Sequence, residues 1–137
     1  MKIVFILTSL LVSNLVLADD EISASIKTNV LDNLHYFQAE DIEKSMSTMH
    51  SQSPSFLPTK NVMVQLFDNY KLSYELLAFK YIGYDGDLAY VRVKQRTKKI
   101  SGPAFKDNEV DMVQLFRQEN GVWKLWAQAT VEVVFIQ

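Results

Sequence analysis

Two side chains have the chemistry for proton transfer, His50 and Asp41. An isomerase-, dehydratase- or cyclase-type reaction needs such a group on a pocket wall, with a donor to hold the developing oxyanion. Both residues also have structural uses that compete with this one. Asp41 opens a short helical segment, where a carboxylate caps free backbone N–H groups. His50 closes the same segment, where a cation meets the helix C-terminus favourably. His35 lies off the apolar stripe of its helix and reads as solvated. A second set of residues is polar on otherwise apolar faces: Asn33, Lys80, Gln95 and Gln114, with Tyr74 sharing the face of Lys80. Burying such groups costs free energy unless they find partners. They must pair with one another, with water or with a ligand, and these five are the expected ligand-binding residues. The chain has no cysteine and two histidines, which excludes a thiol nucleophile, a disulfide scaffold and a thiolate metal site. No hydrolase nucleophile elbow, phosphate loop or metal-ligand spacing occurs, so no cofactor and no metal are implied.

These residues must be positioned by helices in the first half and strands in the second. Ile22, Ile26, Val30, Leu34 and Phe37 recur at helical spacing and build one apolar stripe, with Asn33 inside it. Ile42, Met46 and Met49 form the face of a short second helix. Pro54 and Pro58 bracket an irregular stretch, and Thr59 is the expected N-cap of a third helix with Val62, Met63, Leu66, Phe67 and Tyr70 on one face. From Leu72 onward the chain reads as four strands. Asp85-Gly86 and Asn120-Gly121 are two-residue hairpin signals.

Two-residue turns fix registers, so cross-strand partners follow. The second hairpin puts Gln114 opposite Ala127. It gathers Val110, Met112 and Phe116 with Trp123, Leu125, Ala127, Ala129, Val131 and Val133 on one buried face. The first hairpin pairs Glu75 with Arg96. It sets Leu76, Ala78, Lys80, Ile82, Ala89, Val91, Val93 and Gln95 on the inner face. Phe79, Tyr81, Tyr90, Leu77, Arg92 and Lys94 fall on the outer one. Neither inner face carries an Asp or Glu, which weighs against acid–base catalysis. The Lys94, Arg96, Lys98 and Lys99 stripe reads as a solvated strand face.

With 137 residues the chain suits one domain, and its 48% hydrophobic content supports a core. A net charge of −2 supplies no electrostatic reason to bind nucleic acid or an anionic membrane. Met1-Lys2, an apolar run from Ile3 to Leu17, and Ala18 before Asp19-Asp20-Glu21 make a secretory signal peptide over residues 1–18. The mature domain is expected over 19–137, periplasmic or secreted from a bacterium and free of the membrane after cleavage. Export without cysteine fits a bacterial periplasm.

Short signatures in this order carry a family resemblance. Gln38-Ala39-Glu40-Asp41-Ile42-Glu43 opens the short helix, and His50-Ser51-Gln52-Ser53-Pro54-Ser55-Phe56 leaves it. Gly86-Asp87-Leu88-Ala89-Tyr90-Val91 starts a strand, and Asn120-Gly121-Val122-Trp123-Lys124-Leu125 forms the terminal hairpin. The chain thereby resembles the nuclear transport factor 2-like superfamily, in its SnoaL-like and ketosteroid-isomerase-like bacterial branch. The resemblance implies an α+β cone of cystatin-like type, with three helices packed on a curved four-stranded antiparallel sheet plus a short strand. It also implies a pocket between helices and concave face, and dimerisation through the outer face. The signatures are turns, caps and core positions, and a shared fold does not fix chemistry. The expected function is binding of a small, largely apolar molecule without turnover. The alternatives are an enzyme using His50 or Asp41, and an interaction module with a filled core. A homodimer is expected through Phe79, Tyr81, Tyr90, Leu115 and Trp126, because a monomer would leave an apolar patch in water.

Overall fold

The structure, a computed structural model, describes residues 7–137, with side chains from residue 18. The leader expected over residues 1–18 begins in the six residues outside this description, and the side chains of its apolar run lie outside it as well. Three helices come first: α1 (Leu7–Gln38), α2 (Ile42–Ser47) and α3 (Phe56–Asn69). Four strands follow: β1 (Lys71–Tyr84), β2 (Ala89–Ser101), β3 (Asn108–Glu119) and β4 (Val122–Phe135). They form one antiparallel sheet in the order β1-β2-β3-β4, so the meander expected from the sequence is present. The helices cover the concave face of this curved sheet.

Local chemistry sets the helix boundaries. Asp41 caps α2 by accepting from the Lys44 amide at 3.0 Å. Glu40, with a φ of 56°, turns the chain between α1 and α2. The third helix starts earlier than the Thr59 cap expected, with Ser55 in the N-cap position and Phe56 as its first residue. Pro58 therefore sits in the first helical turn, where a missing N–H removes no helical hydrogen bond. The expected short strand reduces to one parallel bridge between Met49 and Leu125. There the His50 amide donates to the Leu125 carbonyl at 2.9 Å, and the Leu125 amide donates to the Thr48 carbonyl at 3.0 Å. Asn29 on α1 fastens this junction. Its amide donates to the Thr48 and Trp123 carbonyls, each at 3.1 Å.

The sheet registers depart from those expected at both hairpins. Asn120 and Gly121 do make a two-residue turn, with φ of 51° and 78°, and Phe116 pairs with Leu125 as expected. Beyond that point two bulges leave Trp126 and Val131 as extra residues on β4. Gln114 then opposes Gln128 rather than Ala127, and Met112 opposes Thr130 rather than Ala129. At the first hairpin the loop has four residues, Asp85–Leu88, because Tyr84 pairs with Ala89. The Asp85 carboxylate accepts from the amides of Asp87 and Leu88 and stabilises that longer loop. Bulges at Ile82 and Leu77 restore the expected pairing by Glu75–Arg96. Between those bulges the faces are exchanged. Phe79 and Tyr81 oppose the buried Val93 and Val91 and pack on the core, while Lys80 opposes Arg92 on the outer face. The inner position expected for Lys80 and the outer positions expected for Phe79 and Tyr81 are thus corrected.

One end of the concave space is solid. Ile26 and Val30 of α1 pack there on Ala89, Val91, Val93, Met112, Phe116 and Trp123. The other end is lined by a smaller cluster of Met46, Met49 and Met63 with Phe37, Phe67 and Leu125 around it. The outer face carries ion pairs: Arg92–Asp111, Lys94–Glu109, and Arg96 with both Glu109 and Glu75.

Candidate functional site

A cavity of about 480 Å³ opens at the methionine-lined end, between the helices and the concave sheet. Its apolar wall comes from Leu34 and Phe37 of α1, Met49, Met63 and Leu66 near α2 and α3, and Met112 and Leu125 of the sheet. Its mouth lies between α3 and β4, where Val62 and Gln128 both line the cavity and face solvent. The size falls within the range of small-molecule sites, and the mainly apolar lining with a few polar groups is their usual composition.

The polar groups converge from four elements. Asn33 on α1 lines the cavity and donates to the Thr48 hydroxyl at 2.8 Å. Gln95 on β2 donates to the Thr97 hydroxyl at 3.3 Å. Gln114 on β3 donates its side-chain amide to the side-chain Oε1 of Gln128 on β4 at 3.1 Å, an interaction that exists only because of the bulge at Trp126. Ser45 on α2 is fully buried and also lines the cavity. Among the described residues, two buried side-chain atoms lack any hydrogen-bond partner, the Ser45 hydroxyl and Gln114 Oε1. Native interiors rarely leave such atoms unpaired.

Three of the five expected binding residues therefore meet in one space: Asn33, Gln95 and Gln114. Tyr74 is packed edge-on against Phe37, with ring centroids 5.6 Å apart, and stands behind the cavity wall. Burial, and then the nearby Glu40 carboxylate, push its hydroxyl up to about 12. Lys80 is exposed on the far side of the sheet. Sequence reading missed Ser45 and Gln128. Ser45 is three residues after Ile42 and so shares the stripe of Ile42, Met46 and Met49, a signal that was present. Gln128 gave none, since its face depends on a bulge.

The proton-transfer candidates lie outside the cavity lining. Asp41 is occupied as a helix cap and pairs with Lys44 at 3.8 Å. His50 is buried edge-on against Trp126, with ring centroids 5.0 Å apart, and its Nδ1 accepts from the Gln52 amide at 3.1 Å. Glu119 completes that neighbourhood. Its carboxylate accepts from the Ser51 hydroxyl and amide and stands 3.5 Å from His50 Nδ1. The Ser51 hydroxyl above all, and then the Ser51 amide, His50 and Lys124, hold the Glu119 carboxyl below its ordinary range. Among the described residues, the cavity lining contains no titratable side chain. Also among the described residues, no group of three or more His, Asp and Glu gathers as metal ligands, and no helix is long and apolar enough to cross a membrane.

A helical layer over the concave face of a four-stranded meander, with a cavity between them, is the nuclear transport factor 2-like, or cystatin-like, fold. The chain belongs to the family described as "Anti-sigma-I factor RsgI9, C-terminal domain", whose model matches residues 28–136. Solved structures of similar fold include a provisionally assigned scytalone dehydratase from Novosphingobium aromaticivorans. It has 10% identity and a TM-score of 0.71, over 88% of this chain and 91% of that one. A provisionally assigned dehydratase of the nuclear transport factor 2-like family from Streptomyces avermitilis has 16% identity and a TM-score of 0.65, over 80% and 94%. A protein with a cystatin-like fold from Nostoc punctiforme has 13% identity and a TM-score of 0.63, over 78% and 87%. At these identities the likeness is one of fold. No curated protein matches the sequence significantly.

Proposed function

We propose that this domain is exported and binds a small, largely apolar molecule in the cavity without chemically changing it. The observation that carries the reading is the lining: apolar walls, amide and hydroxyl groups, and no acid, base or cation among the described residues. Acid–base catalysis needs a titratable group within hydrogen-bond reach of the reacting atom, and His50 and Asp41 are engaged elsewhere. The family's name supports the same direction, since it places a related domain at the C-terminus of an anti-sigma factor, a regulator.

The test uses N-phenyl-1-naphthylamine, a neutral probe whose fluorescence rises in apolar surroundings. Saturable enhancement at one site per chain is expected, together with its loss in Leu66→Trp, which places a large side chain in the lining from α3. Absence of saturable binding, or binding unchanged in Leu66→Trp, would overturn the reading. N-terminal sequencing of the exported protein should begin at Asp19.

A second copy on the outer face of the sheet is part of the same proposal, narrowed to Tyr90, Leu115 and Trp126. Tyr90 and Leu115 are cross-strand partners on that face, and Arg117 stacks over Trp126 at 4.3 Å beside them. Sedimentation equilibrium at micromolar concentration should find twice the mature mass, and a single monomeric species would end this part of the proposal.

A further inference from the structure

We infer that the cavity selects a neutral molecule bearing a hydrogen-bond donor, such as an alcohol or phenol, and rejects anions and cations of the same shape. This inference rests on the binding reading above and specifies its ligand class. Gln114 is fixed by donating its amide to Gln128, which leaves Oε1 buried and unpaired, and that atom can only accept. The Ser45 hydroxyl, also unpaired, can give or take one hydrogen bond. Asn33 and Gln95 have each committed one of their two amide protons, to Thr48 and Thr97. Of the two buried atoms without a partner, Gln114 Oε1 can act in one sense only, and its demand is for a donor. A hydroxyl placed between Gln114 and Ser45 would donate to the first and accept from the second, with no atom left over.

Charge is excluded by the same lining. A carboxylate or phosphate entering the cavity would find no cationic side chain among the described lining residues, and an ammonium would find no carboxylate. An ion leaving water without a counterion loses far more than a neutral group does. An acid would also set its oxygens against Gln114 Oε1, acceptor against acceptor. A plain hydrocarbon would fit the walls but leave both oxygens unpaired, forfeiting the advantage of a made hydrogen bond.

Three probes of one shape separate these possibilities: 2-naphthol, naphthalene and 2-naphthoate, titrated at pH 7 by displacement of N-phenyl-1-naphthylamine. 2-Naphthol should bind roughly tenfold more tightly than naphthalene, and 2-naphthoate at least tenfold more weakly than 2-naphthol. Gln114→Leu should abolish the preference for naphthol over naphthalene. Ser45→Ala, a smaller change, should lower the same preference a few-fold. Equal binding of naphthol and naphthoate, or a naphthol preference that survives in both variants, would overturn the inference and leave the binding reading standing. If even naphthalene fails to displace the probe, the binding reading falls and this inference falls with it.

Discussion

The two ends of the concave space are built from the same sheet face and serve opposite ends. At the closed end, Val91, Val93 and Phe116 are almost completely buried beneath Ile26, and Trp123 seals the turn. The boundary runs obliquely across the sheet: Gln114 pairs with Val91 and Met112 with Val93, and the cavity opens where Gln95, Gln114 and the methionines border it. Interiors pack at crystal-like density when shape is matched, and methionine adapts where the fit is irregular. Branched side chains at one end therefore secure the fold, while flexible thioethers and amides at the other give up packing for recognition.

Substitutions should separate the two ends, the largest effects coming first. Trp123→Ala at the closed end should cost roughly 3–5 kcal/mol in chemical unfolding, the range for deleting a buried aromatic. A loss below about 1 kcal/mol would mean that this end is not the core. Asn29→Ala at the junction between the ends should cost about 1 kcal/mol, since it removes one donor from each of the Thr48 and Trp123 carbonyls while the Leu125 amide still serves Thr48. Gln114→Leu at the hollow end should change stability by less than about 1 kcal/mol in either direction, because it removes an unpaired buried oxygen. A severe loss there would assign Gln114 to the fold rather than to binding.

The smallest effect concerns acid. Glu119 is held below its ordinary 4.5 in the folded state, so the unfolded chain takes up its proton first as pH falls. Its contribution is complete above about 4.5 and is lost as pH drops through the depressed folded value. Glu119→Gln should flatten the acid limb of a stability–pH curve by lowering stability slightly at neutral pH, the two curves converging below the depressed value. An unaltered acid limb would show that the Ser51–Glu119 contact is not maintained in solution.

The order of elements, the long stripe of α1 and the tight turn at Asn120-Gly121 were legible because each depends on local periodicity or a turn residue. The site was legible only where its residues lay on uninterrupted elements. Asn33 sits within a regular helix, and Gln95 and Gln114 sit on the inner strands, so their faces were read correctly. Lys80, Phe79 and Tyr81 were assigned to the wrong faces because a one-residue bulge inverts every side chain until the next bulge cancels it. Nothing in Leu77 or Ile82 marks them as bulges. Glu75–Arg96 pairs as expected because the extra residues in the loop and in β1 compensate. Trp126 and Val131 likewise moved Gln128 into the site and carried Ala129 and Val131 out of the expected core.

The division between a solid end and a binding end can be read most directly from the methionine methyl resonances. Met49, Met63 and Met112 line the cavity, whereas Met46 belongs to the adjacent cluster without lining it. On saturation with 2-naphthol, the methyl signals of Met49, Met63 and Met112 should shift strongly and that of Met46 only slightly. The methyls of Val91 and Val93 at the closed end should stay in place. Methionine signals unmoved at saturation, or shifts centred on Val91 and Val93, would contradict the account.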